Sequence, residues 1–95
     1  MRRAARVDDN HGAIVAALRR VGASVTSTAG VGNGFVDLVV GYRKRNYLLE
    51  VKDGSKAPSQ RKLTDDEEEW HAAWRGDAFV VESVEQALRV IGATK

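Results

Sequence analysis

The chain has 95 residues, enough for one domain with a modest core. Its 15 Lys+Arg against 13 Asp+Glu give a net charge of +2, too even a balance to name a nucleic-acid partner by itself. It has no cysteine, which excludes disulfides, thiolate zinc sites and a thiol nucleophile. No apolar run approaches the ~20 residues of a membrane helix, and Met1-Arg2-Arg3 lacks the apolar stretch of a signal peptide. A soluble, cytoplasmic protein without a membrane partner is expected.

The first element expected is a helix over residues 8–21. Asp8 or Asp9 caps it, Ile14, Val15, Leu18 and Val21 share a face, and Gly22 ends it. A short strand over Ser24–Thr28 follows, then a loop with Gly30, Gly32 and Gly34. Phe35-Val36-Asp37-Leu38-Val39-Val40 is almost continuously apolar, the pattern of a strand buried on both faces. A basic turn from Gly41 to Asn46 leads into Tyr47–Lys52, so these two strands are expected to form a hairpin. Residues 53–63, with Pro58, read as a loop. A second helix begins at Thr64, which has capping-box spacing to Glu67, and an acidic first turn suits the helix dipole. Trp70 and Trp74 share a face of this helix, which Gly76 stops; packing in the core or against a second copy is the expected role of the pair. Ala78–Val81 is a fourth strand, and Ser83, with Gln86 at the capping-box position, opens a last helix buried through Val84, Leu88 and Ile91. The order is α-β-β-β-α-β-α, one α/β domain over residues 1–95.

Two charged positions interrupt the apolar strands. Asp37 lies inside one; Glu50 and Lys52 lie in the next and point to a common face, because side chains alternate along a strand. Hairpin pairing brings Asp37 near Glu50. Buried carboxylates side by side cost several kcal/mol or take up protons unless a cation neutralises them. Hard oxygen donors of this kind suit Mg²⁺ or Mn²⁺. Such an ion polarises a phosphoryl oxygen and acidifies bound water, while a neighbouring lysine stabilises charge on phosphorus. The bland alternative is an ion pair at a sheet end.

Gly32-x-Gly34-x-x-Asp37, followed by Leu49-Glu50-Val51-Lys52-Asp53-Gly54, resembles the VRR-NUC branch of the PD-(D/E)XK nucleases. The element order agrees, as does the Leu63-Thr64 entry into an acid- and Trp-bearing helix, and the resemblance runs from about Asp9 to Ile91. It implies a restriction-endonuclease-like αβββαβα core, with a central mixed four-stranded sheet flanked by helices. It also implies that Asp37 and Glu50 bind the metal, that the Val51 carbonyl joins them, and that Lys52 is the catalytic lysine. Small stand-alone members of this type, often from phages, act as homodimers on branched DNA such as Holliday junctions, which would place the chain in the cytoplasm of a bacterial host.

The chain departs from the family at three positions. Val36 replaces the proline before the aspartate, a residue that binds no metal. His11 appears where the first helix of the family carries a glutamate. It lies three, four and seven residues before Ile14, Val15 and Leu18, so it is expected to point inward, either to a metal-bound water or phosphate or as a hydrogen-bonded histidine at the core edge. Asn10 has the same two readings, site residue or helix cap. Glu67 stands where many members have a water-orienting glutamine, and its capping-box position accounts for it equally.

For DNA contact the candidates are Lys56, Arg61 and Lys62 beyond the Lys52 strand end, and Arg43, Lys44 and Arg45 at the hairpin turn. The glycine loop leads into a strand, so it is not a dinucleotide fingerprint; it serves either as a turn or as a close backbone approach to DNA. The acids at 65–69 read as a solvated first turn rather than a second metal site. The expected activity is metal-dependent DNA phosphodiester hydrolysis. The alternative is a nuclease-fold module that binds structured DNA but cuts weakly or not at all.

Overall fold

The computed structural model describes residues 7–94; the basic start Met1-Arg2-Arg3 lies outside them. Helix α1 spans His11–Arg20, and strands β1 (Ser24–Ser27), β2 (Leu38–Tyr42) and β3 (Arg45–Val51) follow. A single 3-10 turn, Pro58–Gln60, precedes helix α2 (Asp65–Ala73), strand β4 (Phe79–Val81) and helix α3 (Val84–Val90). The strands form one sheet in the order β1-β2-β3-β4. The first two pairings are antiparallel and β3 to β4 is parallel, so the fold is α/β with a mixed four-stranded sheet flanked by helices. Among the described residues no helix is long and apolar enough to cross a membrane.

Alternation along the strands decides where the core lies. Leu38, Val40, Leu49, Val51 and Val81 share one face of the sheet and are fully buried there. Ile14 and Leu18 from α1, with Ala87 and Ile91 from α3, complete the cluster. The other face is only half covered. Val39 and Leu48 are half-buried and Val80 is 41% exposed, so β2 is not buried on both faces as its apolar run suggests.

Helix α1 starts later than expected. Asp8, Asp9 and Asn10 form a turn in which the His11 N–H donates to the Asp8 carbonyl at 3.0 Å, and neither aspartate caps the helix. Strand β2 also starts late, at Leu38 rather than Phe35. The Asp37 carboxylate takes the Val51 N–H at 2.8 Å, so a side chain fills the place of a strand carbonyl and the β2–β3 ladder ends. Thr28 secures the preceding residues: its N–H donates to the Asp37 carbonyl at 2.7 Å and its hydroxyl to the Val36 carbonyl at 2.7 Å.

Helix α2 has the capping box read from Thr64 and Glu67, but it ends at Ala73, before Gly76, and none of its residues is fully buried. Trp70 stacks on Trp74 at 4.7 Å between centroids and meets the Phe35 ring edge-on at 5.3 Å. Trp74 is 43% exposed, so the pair is a half-buried aromatic shelf rather than core. Ser83 caps α3 through the Gln86 N–H, while the Gln86 side chain accepts from Glu82 N–H instead of closing a box.

The two-residue hairpin connection puts Arg43 and Lys44 at φ +52° and +70°. Both are left-handed positions that asparagine and glycine occupy more easily. The glycine loop acts through one residue. Gly34 has φ +80°, and a Cβ there would overlap the Asp66 carbonyl, so the loop lies directly against the first turn of α2. Gly32 has φ +79° but open space around it. Gly32→Ala is therefore expected to cost about 1 kcal/mol from backbone strain alone. Gly34→Ala adds a clash worth about 1–3 kcal/mol. Urea denaturation of the two variants measures the gap; equal losses would mean that Gly34 does not hold α2.

Candidate active site

The β2–β3 register ends with Leu38 opposite Leu49; Asp37 comes directly before Leu38 and Glu50 directly after Leu49, and both line one cavity. Glu50 and Lys52 project from the face opposite Leu49 and Val51, toward the N-terminal end of α2. There Asp8, Asp37, Glu50, Lys52, Thr64 and Glu67 line a cavity of about 600 Å³. The three strand residues singled out in the sequence thus converge at one place.

Asp37 is held at both ends: its N–H donates to the Leu49 carbonyl at 3.1 Å while its carboxylate accepts from Val51 N–H. At Val51 it is the N–H that meets the Asp37 carboxylate. Glu50 is 1% exposed, and its Oε1 has no hydrogen-bond partner. Lys52 Nζ lies 2.7 Å from Glu67 Oε1 and 3.9 Å from Glu50 Oε2. The same Glu67 oxygen accepts from the Thr64 N–H at 2.9 Å, so Glu67 both caps α2 and grips Lys52.

Burial, then the hydrogen bond and charge of Asp37, then those of Glu67, push the Glu50 carboxyl up to about 10. Burial works against the Lys52 charge, but the Glu67 hydrogen bond and the charges of Glu67, Glu50 and Asp8 outweigh it and hold the ammonium above the ordinary lysine value. Burial likewise opposes the Glu67 charge, and the hydrogen bonds from Lys52 and Thr64 overcome it, holding that carboxyl low.

His11 does not line the cavity. It is half-buried with its Nδ1 enclosed and unpartnered. Because α1 begins only at His11, the acid that reaches the cavity from this part of the chain is Asp8, three residues earlier. Burial and the Asp37 charge raise its carboxyl against the opposing pull of Lys52. Asp8 reads in the sequence as a helix cap, and only the position of the turn reveals it as a site residue. Asn10 neither caps α1 nor lines the cavity; its side-chain N–H groups go to the Lys52 and Glu82 carbonyls.

Of the basic candidates, Lys56 pairs with Asp9 at 3.5 Å and Arg61 with Glu82 at 2.9 Å. Lys62, two residues from Thr64, is exposed and among the described residues has no ion pair. Arg43, Lys44 and Arg45 are exposed at the opposite end of the hairpin. Glu50 lies five residue steps along the strand from Arg45, about 17 Å at strand rise.

The donors suit a hard divalent cation: four carboxyl groups face one ammonium, and the enclosed Glu50 Oε1 lacks a partner. Among the described residues no three of these acids already converge as a ligand cluster, since Lys52 bridges Glu67 and Glu50. No family model, curated protein or solved structure matches the chain.

The raised Glu50 gives a stability prediction. Between about pH 5 and pH 9 the folded chain keeps a proton that the unfolded chain has released. Stability without metal therefore falls as pH rises, by up to ~1.4 kcal/mol per pH unit. Glu67, held low, and Lys52, held high, titrate outside that window. Glu50→Gln should flatten the slope and be the more stable protein at pH 8 in chelator, measured by urea denaturation. An equally steep slope in Glu50→Gln would place the proton elsewhere.

Proposed function

We propose that the chain is a Mg²⁺- or Mn²⁺-dependent DNA endonuclease with a restriction-endonuclease-like fold of the VRR-NUC type. The observation that carries this reading is the convergence of Asp37, Glu50 and Lys52 in one cavity, with an enclosed Glu50 oxygen that nothing among the described residues satisfies. Asp37 and Glu50, with Asp8 and Glu67 beside them, would hold the ion. When bound, it supplies Lewis-acid polarisation of the phosphoryl oxygen and a more acidic water.

The chain's own groups do the rest. Asp37 is kept rigid by the Val51 N–H, so its carboxylate needs no reorganisation. Burial beside Asp37 is what retains the Glu50 proton, so Glu50 would hold the ion as a carboxylate after releasing that proton to solvent. Lys52 stays charged and, released from Glu67, reaches the phosphate oxygens or the attacking water. Lys62 and the hairpin cations Arg43, Lys44 and Arg45 are the exposed groups available to DNA phosphates, with Lys56 and Arg61 available once their partners are displaced. Branched DNA and a homodimer are the substrate and assembly this reading carries, in the cytoplasm of a bacterial host.

A second reading is favoured by the 2.7 Å Lys52–Glu67 pair, which occupies the lysine. Under it the chain is a nuclease-fold module that holds branched DNA without cutting. Cleavage of a four-way junction and of supercoiled plasmid separates the two. With Mg²⁺ or Mn²⁺ the protein should cut, EDTA should stop it, and Asp37→Ala or Lys52→Ala should each cost about 100-fold or more in rate. Junction binding without cleavage under every metal condition would select the second reading. Cleavage that survives Asp37→Ala would remove this site from the reaction.

A further inference from the structure

We infer that Asn10 is a positioning residue: its side-chain amide seats Lys52 and Asp8 in the cavity by tying the start of α1 to the ends of β3 and β4. Its consequence for rate rests on the nuclease reading; the placement itself does not.

Asn10 occupies the N-cap of α1, where an asparagine ordinarily turns its side-chain oxygen onto the first free helix amides. Here it has φ −86° and ψ 0° and makes no such bond. Its Nδ2 instead donates to the Lys52 carbonyl at 3.0 Å and to the Glu82 carbonyl at 3.1 Å, across 42 and 72 residues of sequence. A primary amide offers two N–H groups from one nitrogen, and both are used.

The two acceptors directly follow β3 and β4. At that point the parallel pairing continues only through Lys52 N–H to the Val81 carbonyl at 2.9 Å and Gly54 N–H to the Glu82 carbonyl at 3.0 Å. Asn10 closes the strand ends from the third side. Among the described residues Lys52 carries the cavity's only ammonium, so fixing its main chain fixes the point from which that side chain reaches Glu67 and Glu50.

The same residue anchors the arm that brings Asp8 into the cavity. The turn from Asp8 to His11 is short, closed by the His11 N–H on the Asp8 carbonyl, and Asn10 lies within it. Asn10 is pinned to both strand ends two residues from Asp8, which lines the cavity. Among the described residues the ion pair of this arm is the 3.5 Å contact of Asp9, a largely exposed side chain, with Lys56. Asn10 itself does not line the cavity, so it acts through Lys52 and Asp8 rather than on a substrate.

The test uses the full chain with Asn10→Ala and the isosteric Asn10→Asp, which retains shape but loses both donors. Ile14→Val, in the core on the same helix, serves as the control for simple loss of stability. Two readouts apply: the NMR signal of the Lys52 ammonium, with hydrogen exchange at the Lys52 and Gly54 amides, and the kcat and KM of junction cleavage with Mg²⁺. In both Asn10 variants the Lys52 signal should move toward that of a free lysine. Exchange at those amides should quicken about tenfold or more while Val40 is unchanged. The kcat should fall about tenfold or more with KM within about threefold. Ile14→Val should change neither the signal nor kcat. An unchanged Lys52 signal in Asn10→Ala overturns the inference, as does a kcat that falls no further than in the control. If the wild-type protein cuts the junction under none of the metal conditions, the nuclease reading fails and the Lys52 signal alone decides the role of Asn10.

Discussion

The bond from the Val51 N–H to the Asp37 carboxylate is the constraint on which the rest of this structure depends. A hairpin of ordinary strands would give that N–H to a backbone carbonyl and keep zipping toward the glycine loop. Here a side chain takes it at 2.8 Å. The ladder stops at Leu38, and the chain before it is free to turn through Phe35 and Gly34 onto α2. A gap opens at the strand ends, and the side chains that face it are Glu50 and Lys52. One substitution of acceptor thus ends a strand, brings α2 alongside and creates the cavity.

That cavity concentrates acid where a fold would ordinarily avoid it. A buried carboxylate without compensation costs several kcal/mol. This chain meets the cost by three unlike means. Asp37 accepts a main-chain N–H, Glu67 accepts from both an N–H and an ammonium, and Glu50 keeps its proton. Only the last leaves an enclosed oxygen with no partner. The arrangement is stable enough to fold, yet its residual imbalance is of one sign.

Much of this was legible in the sequence, and for a physical reason. Period-two alternation placed Glu50 and Lys52 on one face, and apolar neighbours marked Asp37 as an exception. The antiparallel hairpin, the Thr64 box and the Ser83 cap followed from local chemistry that tertiary contacts did not override. What was not legible depended on where elements begin. Asp8, Asp9 and Asn10 are each a good helix cap, so composition alone does not say which opens α1, and a shift of three residues exchanges His11 for Asp8 at the cavity. Strand β2 is shorter than its apolar run because Phe35 and Val36 are apolar for another purpose: Phe35 meets Trp70, and Val36 is buried outside the sheet. The half-open second face was hidden because β2 is apolar at Val39 whether or not anything covers it.

Glu67 shows why the capping reading and the site reading were never alternatives. A capping box bends the Glu or Gln side chain three residues on back over the first turn of its helix, and that bend aims its oxygen toward whatever precedes the helix. In this fold the end of β3 stands there. The oxygen that satisfies Thr64 N–H is therefore already placed to take Lys52 at 2.7 Å, and the helix gains the negative charge its N-terminus favours. A glutamine would keep the cap but not the charge, leaving Lys52 facing Glu50 alone. With glutamate the lysine is held charged and in place but also held back. Whatever draws Lys52 away from Glu67 must compete with a group that the helix itself needs, so the start of α2 and the reach of the lysine are set by the same atom.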